Sequence, residues 1–272
     1  MRNWWVTSQS LRRALSLVLN DGRFVSKAAV STLSVACLVA LWAILALVLH
    51  SRYLPSPVDV ARAFGTEWMS GALPFHLAVT MARVAAAFLL AMVIGSAIGI
   101  ALGRSAEADH FFDAWLIFAL NLPALVIIVF CYLWIGLNET AAILAVALNK
   151  IPSVAVTMRE GARALDPALD DVAQVYRFSG WRKFQLFIWP QLEPYVAATV
   201  RNGLSLVWKI VLVVELLGRS NGVGFQINLY FGLFDLSRIL AYALSFMAVV
   251  WLVEALLIKP WETRARAWRG EA

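Results

Sequence analysis

Residues Asp170–Phe184 read DDVAQVYRFSGWRKF. Acids open the stretch, cations close it, and aromatic residues lie between. Just upstream, Asp166 and Pro167 mark a helix start, with a carboxylate at the N-cap and proline at the first helical position. Leu165, Leu169, Val172 and Tyr176 follow at helical spacing, which predicts one apolar face. Asp166, Asp170, Asp171 and Gln174 fall elsewhere around the same helix, and its N-terminal dipole favours the acids. Gly180 is the expected stop. A second short helix is expected over 181–189, ending at Pro190. The whole stretch 159–190 therefore reads as helix, break, helix, and not as a slack linker. Pattern alone leaves a second reading open, an amphipathic helix lying in lipid headgroups.

The surroundings of this segment are far less polar. The chain has 272 residues, 61% hydrophobic and 15% charged, with a mean hydropathy of +0.75. Soluble domains average about 45–50% apolar and about 25% charged residues. The composition is that of an integral membrane protein. Since about 20 apolar residues span a bilayer as a helix, an all-α, polytopic bundle of about six transmembrane helices is expected. The net charge of +6 is read as membrane topology and not as a nucleic-acid footprint. Cys37 and Cys131 lie in apolar runs and are expected to pack as small hydrophobes. His50, His76 and His110 are far apart, so no metal site is expected. The first long apolar run begins too late for a secretory signal.

The spans are predicted as 28–49, 77–103, 111–136 (interrupted at Asn121–Leu125), 140–158 (interrupted at Asn149, Lys150 and Pro152), 194–217 and 239–258. Residues 1–27 combine Trp4, Trp5 and Leu11 with Arg2, Arg12 and Arg13, as in a basic amphipathic helix on the membrane surface; a frayed tail is the alternative. Residues 28–262 form the transmembrane region and 263–272 a basic tail. Under this topology only Arg52, Arg62, Arg219 and Arg238 face one side, and most of the remaining cations face the other. Both termini and the 159–190 loop are therefore expected in the cytoplasm. Gly95, Gly99 and Gly103, four apart, make a smooth face for close helix packing.

Ionisable residues inside spans are costly and are functional candidates by default. Glu215 and Arg219, four apart, are expected to form a structural ion pair, with Arg83 in a similar part. Lys150 and Lys209 sit nearer mid-span. Asn121–Pro123 and Asn149–Pro152 break their helices at similar depth, which is tolerated where the backbone is buried or lines a cavity. These breaks are expected to face a pore, with Lys150 or Lys209 supplying positive potential for an anion. The alternative is that each lysine is neutralised in a helix contact.

An enzyme is not expected. No GxxxxGK[ST], HExxH or GxSxG pattern occurs, and the adjacent Asp170 and Asp171 point to different faces of a helix. A channel or secondary transporter working without an ATPase is the rival, but such a protein has no need of a stiff cytoplasmic helix.

The quoted segment resembles the EAA loop of permease subunits of type I ATP-binding-cassette importers, in the nitrate, sulfonate and taurine branch. Asp171 stands at the acid, Ala173 at the second alanine, Gly180–Trp181 in the branch's SGW, and Pro190 at the terminal proline. Val172 replaces the first alanine, Trp189 precedes the proline in place of leucine, and Arg177 replaces the usual glycine, a change expected to remove a bend. YLPSPVDVARAF, GSAIGIALG and the spacing of Trp208, Glu215, Gly222 and Gly224 extend the likeness from about residue 50 onward. The resemblance implies the type I permease fold, a homodimer in the bacterial inner membrane, two ATPase subunits each receiving the coupling helix, and a periplasmic binding protein that delivers a small solute, expected to be an anion. It implies no cofactor in this chain, ATP and magnesium being bound by the ATPase.

Overall fold

The computed structural model describes residues 27–49, 51, 53–258 and 260. The basic segment expected over 1–27, apart from Lys27, and the tail expected over 263–272 lie outside the described residues. The described chain is helical, with no strand. It divides into two compact units at Val58/Asp59. The first holds α1 (Lys27–Leu49), uncharged after its first residue, and Trp42 Nε1 donates to Pro55 O at 3.0 Å.

The second unit starts within α2 (Pro57–Met69) and continues through α3 (Ala72–Arg104), α4 (Ala106–Asn121), α5 (Ala124–Ile135) and α6 (Glu139–Arg163). Two short helices follow, α7 (Pro167–Val175) and α8 (Gly180–Lys183). A π-helical turn, Phe184–Ile188, then leads into α9 (Trp189–Gly218), and α10 (Val223–Gly232), α11 (Leu236–Val253) and a second π-helical turn, Glu254–Ile258, follow.

Among the described residues four helices are long and apolar enough to cross a membrane: α1, α3, α6 and α11. The pair α4–α5, bent by 93° at Asn121–Pro123, makes a fifth if it is one broken span. The remaining predicted span, α9, is about 45 Å long at 1.5 Å per residue, carries Glu193, Arg201, Lys209 and Glu215, and is not among these helices. The expected count of six thus falls to four or five by composition.

The centre of the second unit is α3 packed along α6. Ala87, Ala91, Gly95 and Gly99 bury one face of α3 at helical spacing. A Cβ on Gly95 would lie 2.6 Å from Val154 Cβ, and one on Gly103 2.6 Å from Ala162 Cβ. A Cβ on Gly99 would run into the carbonyl of Ala155. The glycine ladder therefore brings the α3 backbone directly onto α6. Val84, Val146, Val207, Val211 and Tyr242 fill the core between α3, α6, α9 and α11. Tyr132 Oη on α5 donates to Val214 O on α9 at 2.8 Å.

Two predicted breaks are corrected. Span four is not interrupted: α6 runs through Asn149, Lys150 and Pro152 without a gap. Proline removes one backbone donor, and the burial of Pro152 with its neighbours Val154 and Ala155 holds the helix together across that loss. Nor does the second short helix end at Pro190. The helical run continues from Gly180 to Gly218, with Pro190 in the first turn of α9. The π-helical turn bonds Trp189 N to Phe184 O, so the donor that proline lacks falls where the hydrogen-bond register changes.

Candidate functional site

The segment 164–191 is a braced hairpin at the C-terminal end of α6. Asp166 caps α7, its Oδ1 accepting from Ala168 N at 2.9 Å, with Pro167 in the first turn. Asp166 N in turn donates to Gln191 Oε1 at 2.8 Å, which ties the start of α7 to α9. Phe178 and Phe187 pack edge to face with ring centres 5.5 Å apart. Leu165 packs with Val154, Met158 and Leu192.

α7 stops at Val175, five residues before Gly180. Phe178 N donates to Ala173 O and Arg177 N to Gln174 O, both at 3.0 Å. This is the Schellman arrangement that closes many helices. Arg177 takes the left-handed conformation it requires, at φ 48°. The bend expected to vanish with glycine is therefore kept, formed by arginine. Gly180 instead opens α8, behind a Ser179 cap. The single apolar face is also corrected. Leu169 is half-buried and Ala173 is buried, both against the protein, whereas Val172, Val175 and Tyr176 face outward. Val175 is 78% and Tyr176 72% exposed. The helix has an inner small-residue side that seats it and an outer apolar side that is open. Asp171 is exposed beside that outer side.

Beneath the hairpin lies an ion cluster that sequence reading did not assemble. Arg159 Nη1 on α6 is 3.0 Å from Asp109 Oδ1 and 2.7 Å from Asp113 Oδ1 on α4, and Arg163 also pairs with Asp109. It fastens the N-terminal turns of α4 to α6.

The opposite end of the bundle holds a denser network. Arg83, 4% exposed, donates to Glu215 Oε1 at 2.7 Å, to Glu139 Oε2 at 2.8 Å, and to the carbonyl and side chain of Asn221. Glu215 is fully buried and also accepts from Thr80 Oγ1 and from Gly224 N, each at 2.9 Å. Val223 N donates to Thr80 Oγ1 at 2.8 Å and Gly222 N to His76 Nδ1 at 3.0 Å. His76, Thr80 and Arg83 stand on one face of α3 and together hold the 218–224 loop. The glycines of that loop now have a reason. Gly222 sits at φ 106°, and a Cβ on Gly222 would collide with the Glu215 carboxylate, one on Gly224 with the carbonyl of Leu212. The expected Glu215–Arg219 side-chain pair does not form. Arg219 turns to Glu139, 2.8 Å away, because Glu215 faces inward to Arg83. A parallel anchor ties α2 to the last two helices: Glu67 accepts from Tyr230 Oη at 3.0 Å and Tyr242 Oη at 2.9 Å, and Arg238 Nε lies 3.0 Å away. Thr80, Asn221 and Glu67 were not singled out from the sequence, and His76 was considered only as a metal ligand; the only local signal was their polarity beside apolar runs.

Of the candidate residues within the predicted spans, the structure buries three. Arg83 and Glu215 are locked together as above. Lys150, 4% exposed, donates from Nζ to Ser153 Oγ at 2.7 Å and passes close to Gly203. Asn149 is half-buried, and Asn121 and Pro123 lie exposed at the α4–α5 break. Lys209 is exposed partway along α9. With Arg201 and Ser205 it makes a polar ladder at helical spacing on one side of that helix.

Comparison with known proteins places this architecture. Residues 91–258 match the family model described as binding-protein-dependent transport system inner membrane component. The aliphatic sulfonates transport permease protein SsuC of Bacillus subtilis (strain 168) is 31% identical over 194 residues, 71% of this chain and 70% of the relative. The taurine transport system permease protein TauC of Escherichia coli (strain K12) is 26% identical over 250 residues, 88% of this chain and 90% of its own length. The solved inward-facing MetNI methionine ABC transporter superposes with a TM-score of 0.60 at 15% identity, covering 74% of this chain and 98% of that one. The fold is that of ABC importer permeases. This chain belongs to the family of binding-protein-dependent transport system inner membrane components.

Proposed function

We propose that the chain is the membrane-spanning subunit of an ATP-driven importer for a small anion, with α7 as the helix that receives the stroke of a separate ATPase. The observation that carries this is the outward apolar side of α7. Val172, Val175 and Tyr176 are open to solvent on a helix whose other side is fastened to α6 and α9. A docking element must be rigid and must offer apolar area for burial in a partner. Asp171 adds a charge at its edge, and Asp166, Leu169 and Ala173 hold the helix in place.

The same reading assigns ATP hydrolysis, with its magnesium, to the partner subunits. It places two copies of this chain in a bacterial inner membrane with both termini cytoplasmic, and has a periplasmic binding protein deliver the solute to them. In this reading α9 crosses the membrane despite its charges. Glu215 is neutralised by Arg83, and the ladder of Arg201, Ser205 and Lys209 faces the translocation pathway, since a lysine at hydrocarbon depth is not tolerated against lipid tails. Relatives named for sulfonate, taurine and nitrate transport support an anionic solute.

The test is co-purification. A tagged chain, expressed with its native partners in mild detergent, is expected to bring down an ATPase subunit. Asp171→Lys combined with Tyr176→Glu is expected to lose that subunit while the permease keeps its thermal transition. Full retention by the folded double variant would move α7 from coupling element to membrane-surface element, and the assignment to a channel or secondary carrier would gain.

A further inference from the structure

His76, near the start of α3 and 9% exposed, touches the 218–224 loop and α10 at once. Gly222 N donates to its Nδ1 at 3.0 Å, and the Gln226 amide lies 2.6 Å from its Nε2. A backbone N–H only donates, so Nδ1 carries a lone pair and the proton of the neutral ring sits on Nε2. The Gln226 amide must then turn its oxygen to the ring. With its nitrogen there, two donors would meet, and Oε1 would be buried without a partner. The two ends of an amide are alike in shape, so packing permits the turn.

We infer that His76 is a proton-binding latch, and that a second proton, taken up at Nδ1, releases the 218–224 loop from α3. Three features carry it. First, both nitrogens of an imidazolium donate, and the group standing at Nδ1 is the Gly222 N–H, another donor. Second, Gly222 lies hard against the Glu215 carboxylate, which a Cβ there would strike, so the new hydrogen finds room only if the loop moves. Val223 N, bonded to Thr80 Oγ1 one turn along α3, is the next link and loosens with it. Third, the carboxylates around the ring are engaged elsewhere. Glu67 on α2 and Arg83 on α3 act on the ring with opposite charge, but Glu67 is held by Tyr230, Tyr242 and Arg238. Glu215 on α9 is held by Arg83, Thr80 and Gly224. The remaining neighbours are rings: Tyr242 on α11, with centres 6.2 Å apart, and Phe225 on α10. The loop lies at the end of the bundle opposite the α7 hairpin, so acid loosens the side at which the reading above has solute arrive. The latch itself stands apart from that reading.

The experiment follows amide hydrogen exchange by mass spectrometry on the full-length chain in phosphatidylcholine nanodiscs. It runs between about pH 8 and pH 5, where histidine changes charge, with the intrinsic pH dependence of exchange removed. In the wild type the 219–226 segment is expected to lose protection about tenfold in acid, the worth of one such hydrogen bond, while α6 keeps its own. His76→Asn puts an uncharged acceptor, Oδ1, in the place of Nδ1 and is expected to keep the loop protected throughout. Equal wild-type protection in acid and base, loss shared by α6, or loss in His76→Asn as large as in the wild type overturns the assignment. The nitrogen NMR spectrum of the histidine-labelled wild type reads the ring itself, with His50→Gln and His110→Gln to assign the signals. A proton on Nε2 alone in base, and on both nitrogens in acid, is expected. A proton on Nδ1 in base, or a ring still neutral once the loop has opened, overturns the latch.

Discussion

The backbone N–H of Phe178 reaches the carbonyl of Ala173 at 3.0 Å, closing α7 around Arg177. Left-handed backbone costs an L-residue with a side chain about 1–2 kcal/mol, and β-branched residues suffer most. Arg177→Val is therefore expected to open this end of α7, seen as faster amide exchange at Arg177 and Phe178. Arg177→Gly is expected to keep the turn and the protection. Equal exchange in the two variants would show that the closing bonds do not depend on the residue at 177.

Arg83 and Glu215 are buried together 2.7 Å apart. Removing one partner of a buried pair leaves the other charge without compensation, at about 3–5 kcal/mol. Arg83→Met is expected to lower the thermal transition of the purified protein by the largest step of any single change at this end. Glu139→Gln, at a carboxylate half open to solvent, is expected to cost about 1 kcal/mol or less. A Glu139 variant as damaging as the Arg83 variant would shift the centre of the network to Glu139.

Gly99 has no room for a side chain against Ala155 and Met158. Gly99→Leu is expected to force α3 and α6 apart, at about 1–3 kcal/mol or more for overpacking. Gly65, with open space around it, is the control: Gly65→Ala is expected to leave stability unchanged or slightly raised. Unfolding in detergent followed by circular dichroism reads both.

Tyr230, in the short helix after the 218–224 loop, donates to Glu67. Burial, first, and the nearby carboxylate push its hydroxyl up to about 12. A group whose folded value is raised contributes stability that is full below its ordinary value, near 10, and is lost as pH climbs to 12. The wild type is therefore expected to lose more thermal stability between pH 10 and 12 than Tyr230→Phe. Parallel curves for the two proteins would mean that the hydroxyl does not titrate with unfolding.

The sequence by itself determined the class of molecule, the helical spans near Lys27–Leu49, Ala72–Arg104 and Leu236–Val253, the break at Asn121–Pro123, and the start of α7 at Asp166–Pro167. These follow from local causes: length of apolar run, a proline that cannot continue a helix, and a carboxylate placed to cap one. Tertiary structure decided the rest. Glu215 had a cation four residues away in Arg219, yet it pairs with Arg83, 132 residues distant, because packing turned it inward while Arg219 turns to Glu139. Pro152 signals a break that dense packing around α6 suppresses. Arg177 predicts the loss of a bend that the hydrogen bonds of Phe178 and the edge-to-face contact of Phe178 with Phe187 keep. The outer and inner sides of α7 share one helical period, so only the position of α6 and α9 could say which apolar residues are left open for a partner. A local pattern fixes what a segment can form; which of its faces is used depends on energies of contact with residues far along the chain.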